Sequence, residues 1–138
     1  MNRRRLLIRL ALLFVALAVG TTSWAHKFHM TASQTVPGAL GELDANEDRN
    51  GNTEVRMTVQ HLAKPSQLTP PTTAYIVWFQ QQGSDPANEG ELRIGDKMKG
   101  EFKTSTPWKN FDVFITAESD PQVKSPSGQV VLRTTVQE

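Results

Sequence analysis

Three histidines, His26, His29 and His61, are the side chains of this 138-residue chain best suited to bind a metal ion. If the chain is cleaved after Ala25, His26 becomes the new N-terminus and offers an amine and an imidazole to one ion. Nitrogen ligands of this kind suit copper, and His29, Met30 or His61 would complete the site. The competing interpretation is a permissive cleavage site followed by a polar, flexible end. Both interpretations stay open at this point.

A second candidate metal site is the polar stretch at residues 46–51. It has oxygen-bearing side chains at positions 1, 3 and 5 and glycine at position 6, as in the first half of a calcium-binding loop. Position 12 of such a loop needs a bidentate acid, and Met57 stands there. The alternative is a β-hairpin, because an Asn50-Gly51 turn accepts positive φ. We expect the hairpin.

Residue patterns typical of enzymes are missing from the sequence. There is no Gly-x-Ser-x-Gly elbow, and Ser127-Gly128 follows a proline in the manner of a turn. Acid pairs such as Glu118 and Asp120 could serve acid–base catalysis, but we expect them at exposed strand edges or loops. The absence of cysteine excludes thiol chemistry and thiolate metal sites. We therefore expect no enzyme activity and no cofactor, with copper as the alternative.

The first 25 residues differ sharply from the rest. Four arginines at positions 3, 4, 5 and 9 precede an apolar run at residues 10–19, and Ser23 and Ala25 are small residues before a cleavage point. This order predicts a helical secretory signal peptide at residues 1–25. The apolar run at residues 10–19 is shorter than the roughly 20 apolar residues needed to span a bilayer. An uncleaved anchor is the alternative, and it is the only case in which we expect membrane contact. Either interpretation predicts a bacterial periplasmic or secreted protein.

Removing this segment changes the charge. The 15 basic residues fall by four to 11, against 14 acidic residues, which gives a net charge of −3. No basic cluster remains to neutralise phosphates, so we expect no nucleic-acid partner. The remaining chain is long enough for one domain.

The prolines after the signal separate short segments of alternating apolar and polar residues, as expected for antiparallel strands. The predicted strands are residues 39–45, 53–62, 73–81, 91–94, 99–104, 110–118 and 129–136. Residues 26–38 should form a flexible N-terminal segment or edge strand, and residues 39–138 the domain itself. About seven strands of this spacing predict an all-β, immunoglobulin-like antiparallel β-sandwich.

The alternation also predicts which side chains face the core. In residues 110–118, Phe114 should oppose the other apolar side chains, and in the last strand Val130, Leu132 and Val136 should point inward. Trp78 is expected to be buried in a central strand. The long polar loops at residues 65–72 and 82–89, with residues 108–110, are the candidate interaction surface. The contact residues we expect are Gln82, Trp108, Lys109 and Asn110.

Two stretches resemble a known family. Residues 74–78 (Ala-Tyr-Ile-Val-Trp) lead to Gly90-Glu91-Leu92 and Gly100, and the aromatic segment 111–118 leads to residues 126–132 (Pro-Ser-Gly-Gln-Val-Val-Leu). Together they resemble the extracytoplasmic, C-terminal domain of anti-sigma-K-type anti-sigma factors over residues 39–136. The resemblance implies an immunoglobulin-like, non-catalytic domain. It covers the outer domain only, so sigma-factor binding is not expected to carry over.

These observations predict an exported, non-catalytic β-sandwich module that contacts an envelope protein or a small ligand. The alternative function is a periplasmic copper-binding protein that uses the mature N-terminal histidine.

Overall fold

The computed structural model describes residues 25–138, and the predicted signal helix lies outside the described residues apart from Ala25. The described chain is all-β, which confirms the predicted fold class, with eight strands where about seven were expected. They are β1 (His26–Ala32), β2 (Leu40–Glu47), β3 (Thr53–Gln60), β4 (Ala74–Gln80), β5 (Ala87–Leu92), β6 (Gly100–Thr106), β7 (Phe111–Glu118) and β8 (Gln129–Val136). A 3₁₀ turn, Pro65–Gln67, follows β3.

All neighbouring strands are antiparallel, and they pair in the order β5-β4-β7-β8-β1-β2-β3-β6. β1 joins the two halves of this order because its residues pair on both sides. Residues 26–30 pair with β2, and Thr31 and Ala32 pair with β8. The segment expected to be flexible or at an edge therefore begins with a strand that links the half β5-β4-β7-β8 to the half β2-β3-β6.

One apolar core lies between the two halves. Leu43 and Met57 from one half pack into the same cluster as Tyr75, Phe79 and others from the second half, and all four are almost fully buried. The Tyr75 hydroxyl donates to the carbonyl oxygen of Ala63 (2.7 Å), which ties the β3–β4 connection to the core. Burial raises the pKa of Tyr75 to about 12, because it disfavours the phenolate.

A second apolar cluster lies on the opposite face of β4 and β7. It contains Ile76, Trp78 and Phe114, and Val123 from the β7–β8 connection packs against it. Two amide hydrogen bonds keep this connection in place, from Asn88 Nδ2 to the carbonyl oxygens of Pro121 (3.3 Å) and Val123 (2.8 Å). The predicted burial of Trp78 and the outward position of Phe114 are confirmed. β4 is therefore covered on both faces.

The predicted inward position of Val130 is wrong. Ile115 is paired with Leu132, but Thr116 is paired with Val130, so Val131 is an extra residue in β8. This β-bulge reverses the alternation. Val131 joins the main core with Leu132 and Val136, while Val130 packs against the outer cluster.

The approach of β8 to β7 requires glycine at position 128. A Cβ atom there would lie 1.6 Å from the carbonyl oxygen of Ala117. We expect Gly128→Ala to lower the free energy of unfolding by more than about 3 kcal/mol or to prevent folding, since the strands would have to separate. Urea denaturation measures this. Gly38→Ala is the matched control, because its Cβ would meet no atom within 4 Å, and a comparable loss there would contradict the steric account.

Candidate functional site

The four predicted contact residues lie at one end of the sandwich. The end of β4 is paired with the beginning of β7, so the segment after β4 and the segment before β7 lie side by side. The β2–β3 hairpin and the end of β8 reach the same end, through the pairings of β3 with β6 and of β7 with β8. We call this region the Trp108 surface; it consists of Glu47, Gln82, Trp108, Lys109, Asn110 and Glu138.

Trp108 is partly buried and is fixed at several points. Its ring packs against Phe111, with ring centroids 6.4 Å apart and an interplanar angle of 59°. Its carbonyl oxygen accepts a hydrogen bond from the buried Thr53 hydroxyl (2.8 Å), and its backbone N–H donates to Thr106 Oγ1 (3.3 Å). Trp108 therefore presents its remaining exposed surface from a fixed position.

Polar side chains surround Trp108. Lys109 Nζ lies 3.2 Å from Glu47 Oε2 and 3.4 Å from Glu138 Oε2. Partial desolvation opposes the charged ammonium, but the two carboxylates outweigh it and raise the pKa of Lys109. Asn110 Oδ1 accepts a hydrogen bond from the backbone N–H of Glu138 (3.3 Å), and Gln82 is exposed in the turn after β4.

The third predicted contact segment, residues 65–72, lies elsewhere. It follows β3, whose last residue is paired with the first residue of β2, at the end opposite to the Trp108 surface. The structure thus brings residues 82 and 108–110 together and separates them from residues 65–72.

The three histidines are also separated. His26 is paired with Ala45, whereas His61 follows Gln60, which is paired with Leu40. Five residues along β2 correspond to roughly 17 Å. His29 is exposed on the outer face of β1, with Nδ1 3.8 Å from Glu42 Oε1. The three side chains do not converge on one position.

The stretch with calcium-loop spacing forms the β2–β3 hairpin. Gly51 has a φ of 79°, and Asp48 Oδ1 accepts backbone hydrogen bonds from Asn50 (2.8 Å) and Asn52 (3.0 Å). These backbone hydrogen bonds lower the pKa of Asp48, because they favour its charged form. The carboxylate stabilises the turn itself.

A groove of about 330 Å³ lies at the opposite end of the sandwich, between the β3–β4 connection and the start of β8. At its base is Glu118, which is only 1% exposed, so the expectation of an exposed acid at this position is wrong. Oε1 accepts hydrogen bonds from the Thr116 hydroxyl (2.6 Å) and the Ser127 backbone N–H (3.0 Å), and Oε2 from the Ser127 hydroxyl (2.6 Å). Trp78 Nε1 donates in turn to Thr116 Oγ1 (2.8 Å).

Burial alone would raise the pKa of Glu118, but the hydrogen bonds from Ser127, Thr116 and the Gly128 backbone outweigh it and lower the pKa. The carboxylate oxygens are occupied by the protein's own donors, which indicates a structural role for this acid. The sequence signal that could have identified it is its place at the end of β7, a strand with apolar residues on both faces.

Among residues 25–138, no three histidine or acidic side chains form a group that could hold a metal ion. The same part of the chain contains no helix long and apolar enough to span a membrane.

We expect Glu118→Gln to lower the free energy of unfolding by about 2–3 kcal/mol near neutral pH, because a buried amide cannot accept all these hydrogen bonds. Since folding lowers the pKa of Glu118 below its usual 4.5, the stabilisation is complete above that pH and is lost as the pH falls through the folded value. Chemical denaturation between about pH 3 and 8 should therefore show the two proteins converging in acid. Ser127→Ala should cost about 1 kcal/mol near neutral pH and weaken the pH dependence, because it removes one of the hydrogen bonds that lower the pKa of Glu118. A constant difference between wild type and Glu118→Gln at every pH would contradict this account.

Copper binding stays a prediction, and the separation of the histidines in the structure allows a more specific test of it. A site built on a mature N-terminus would depend on His26 but not on His61, because His26 is paired with Ala45 and His61 follows the residue paired with Leu40 at the other end of β2. We expect His26→Ala to abolish any copper binding by protein that begins at residue 26 in calorimetric titration, with His61→Ala unchanged. Equal losses in the two variants would contradict a site at the N-terminus.

Comparisons with known proteins give no family for this chain. No protein-family model matches it, and no match was found among curated proteins or among solved structures. The resemblance to anti-sigma outer domains therefore stays a prediction.

Proposed function

We propose that this protein is an exported, non-catalytic binding module of the bacterial cell envelope, and that an envelope protein binds at the Trp108 surface. The observation that carries the proposal is the fixed position of Trp108, between Phe111 and two threonine hydrogen bonds. A large aromatic side chain that is already ordered loses little conformational entropy on binding, and tryptophan is enriched among residues that dominate interface energies.

The surroundings of Trp108 support the same proposal. Lys109, Glu47, Asn110 and Glu138 form a polar rim of charged groups and amides next to the ring. Protein interfaces commonly combine a central aromatic residue with such a rim, which contributes specificity more than affinity. Export is supported by the sequence of residues 1–25, with its arginines, apolar run and small residues before the cleavage point.

The resemblance to anti-sigma outer domains bears on architecture only. The residues that carry it lie mainly in β4, β5, β7 and β8, one half of the sandwich. That half contains the buried network around Glu118. A sequence pattern shared in this half is therefore consistent with a similar arrangement of strands.

Photocrosslinking in the host envelope tests the proposed surface. A crosslinking amino acid at Asn110 or Gln82, both exposed, should capture one partner protein, whereas Ser66 and Lys97, exposed at the opposite end, should not. In binding assays with that partner, Trp108→Ala should weaken affinity about 30-fold, as expected for a residue worth about 2 kcal/mol. Circular dichroism and a melting curve confirm that the variant is folded.

Lys124→Ala, on the β7–β8 connection, is the matched control for affinity because its side chain is exposed away from the Trp108 surface. Equal crosslinking from both ends, or a folded Trp108→Ala protein with unchanged affinity, would overturn the proposal.

A further inference from the structure

The two edge strands of the sandwich differ in their readiness to pair with another strand. β5 has an irregularity opposite Val77 and Trp78, and its Gly90 has a φ of 132°. Its Asn88 is also joined to the β7–β8 connection. Irregular, partly covered edges of this kind resist strand addition.

β6 is a regular edge. Its seven residues pair with β3 in unbroken register from Gly100 to Thr106, and within residues 25–138 no strand pairs with its other side. Alternate backbone N–H and C=O groups therefore point away from the sheet. Its outward side chains, Glu101, Lys103 and Ser105, are exposed, and Phe102 on the inner face is only partly buried.

We propose that β6 pairs with β6 of a second copy of this chain, antiparallel and centred on Phe102, to form a dimer with a continuous sheet. A two-fold axis perpendicular to the sheet relates the copies, so the same surface is used twice. In this register Glu101 lies opposite Lys103 of the other copy, and Lys103 lies opposite Glu101.

Charge complementarity favours this register over those centred on the two neighbouring residues. Residues directly opposite each other in an antiparallel pair share a face of the sheet, so the centre of symmetry must fall on a residue. A centre at Lys103 would place the two lysines opposite each other, and a centre at Glu101 the two glutamates. Both arrangements are destabilising. The centre at Phe102 instead forms two Glu–Lys pairs across the axis.

The inner face favours the same centre. The ring of Phe102 lies over Gly90, since a Cβ atom at Gly90 would be 3.3 Å from the ring. This ring closes the side of the core between β5 and β6 and remains partly exposed. Pairing centred on Phe102 would bring the two rings together across the axis, where aromatic cross-strand pairs are favourable.

Sedimentation velocity of the exported protein over a concentration series tests the dimer. We expect a dissociation constant of about 10–100 µM, because one strand pair gives an interface at the small end of specific interfaces. Glu101→Lys and Lys103→Glu should each weaken the dimer at least about tenfold through like-charge pairs, and the double reversal should restore it. Lys124→Glu, on the exposed β7–β8 connection, is the charge control and should leave the dimer unchanged.

Disulfide crosslinking tests the register independently, because the chain has no cysteine. A mixture of Glu101→Cys and Lys103→Cys proteins should form the mixed dimer faster than either protein forms its own, since residues 101 and 103 are directly opposite. A monomer at all concentrations, a double reversal that fails to restore the dimer, or no preference for the mixed disulfide would overturn the proposal. Failure of the Trp108 surface to bind a partner would leave it standing, because none of the six residues that define that surface belongs to β6.

Discussion

The buried carboxylate of Glu118 is the interaction on which the arrangement of the β4–β7–β8 half depends. A charged group at 1% exposure is tolerated only when its hydrogen bonds are satisfied, and here Thr116, Ser127 and the Gly128 backbone supply them. Those donors lie at the two ends of the β7–β8 connection. The carboxylate thereby closes that connection into a loop, and Val123 within it packs on the outer face of β4.

Burying β4 on both faces has consequences at the far end of the molecule. From the end of β4, a row of aromatic rings runs from the core to the Trp108 surface. The centroids of Phe79 and Phe111 are 4.8 Å apart, and those of Phe111 and Trp108 are 6.4 Å apart. Because close-packed interiors transmit displacement, the position of Trp108 is coupled to the packing of the core and not to its own loop alone.

The alternation of apolar and polar residues predicted the strands well, because in β3 and β7 it follows which side chains are buried. It failed where a single residue changes the pairing. Nothing in the sequence marks Val131 as the extra residue of a β-bulge, and this bulge moves Val130 to the other face. Glu118 was misjudged for a related reason: its donors Ser127 and Gly128 come from a distant turn that only the fold brings near. Of the candidate site, the sequence supplied only the candidate contact residues, and their position at one end of the sandwich follows from strand order.

The two proposed surfaces constrain each other through geometry. Thr106, at the end of β6, is paired with Thr53 and lies beside Trp108, so the Trp108 surface is at the C-terminal end of β6. Antiparallel pairing of β6 with its copy reverses the strand direction, which places the two Trp108 surfaces at opposite ends of the dimer. Two surfaces that face away from each other cannot both engage sites lying side by side on one partner, so the arrangement gives no gain in avidity there. The proposed dimer would instead be able to connect two separate partners.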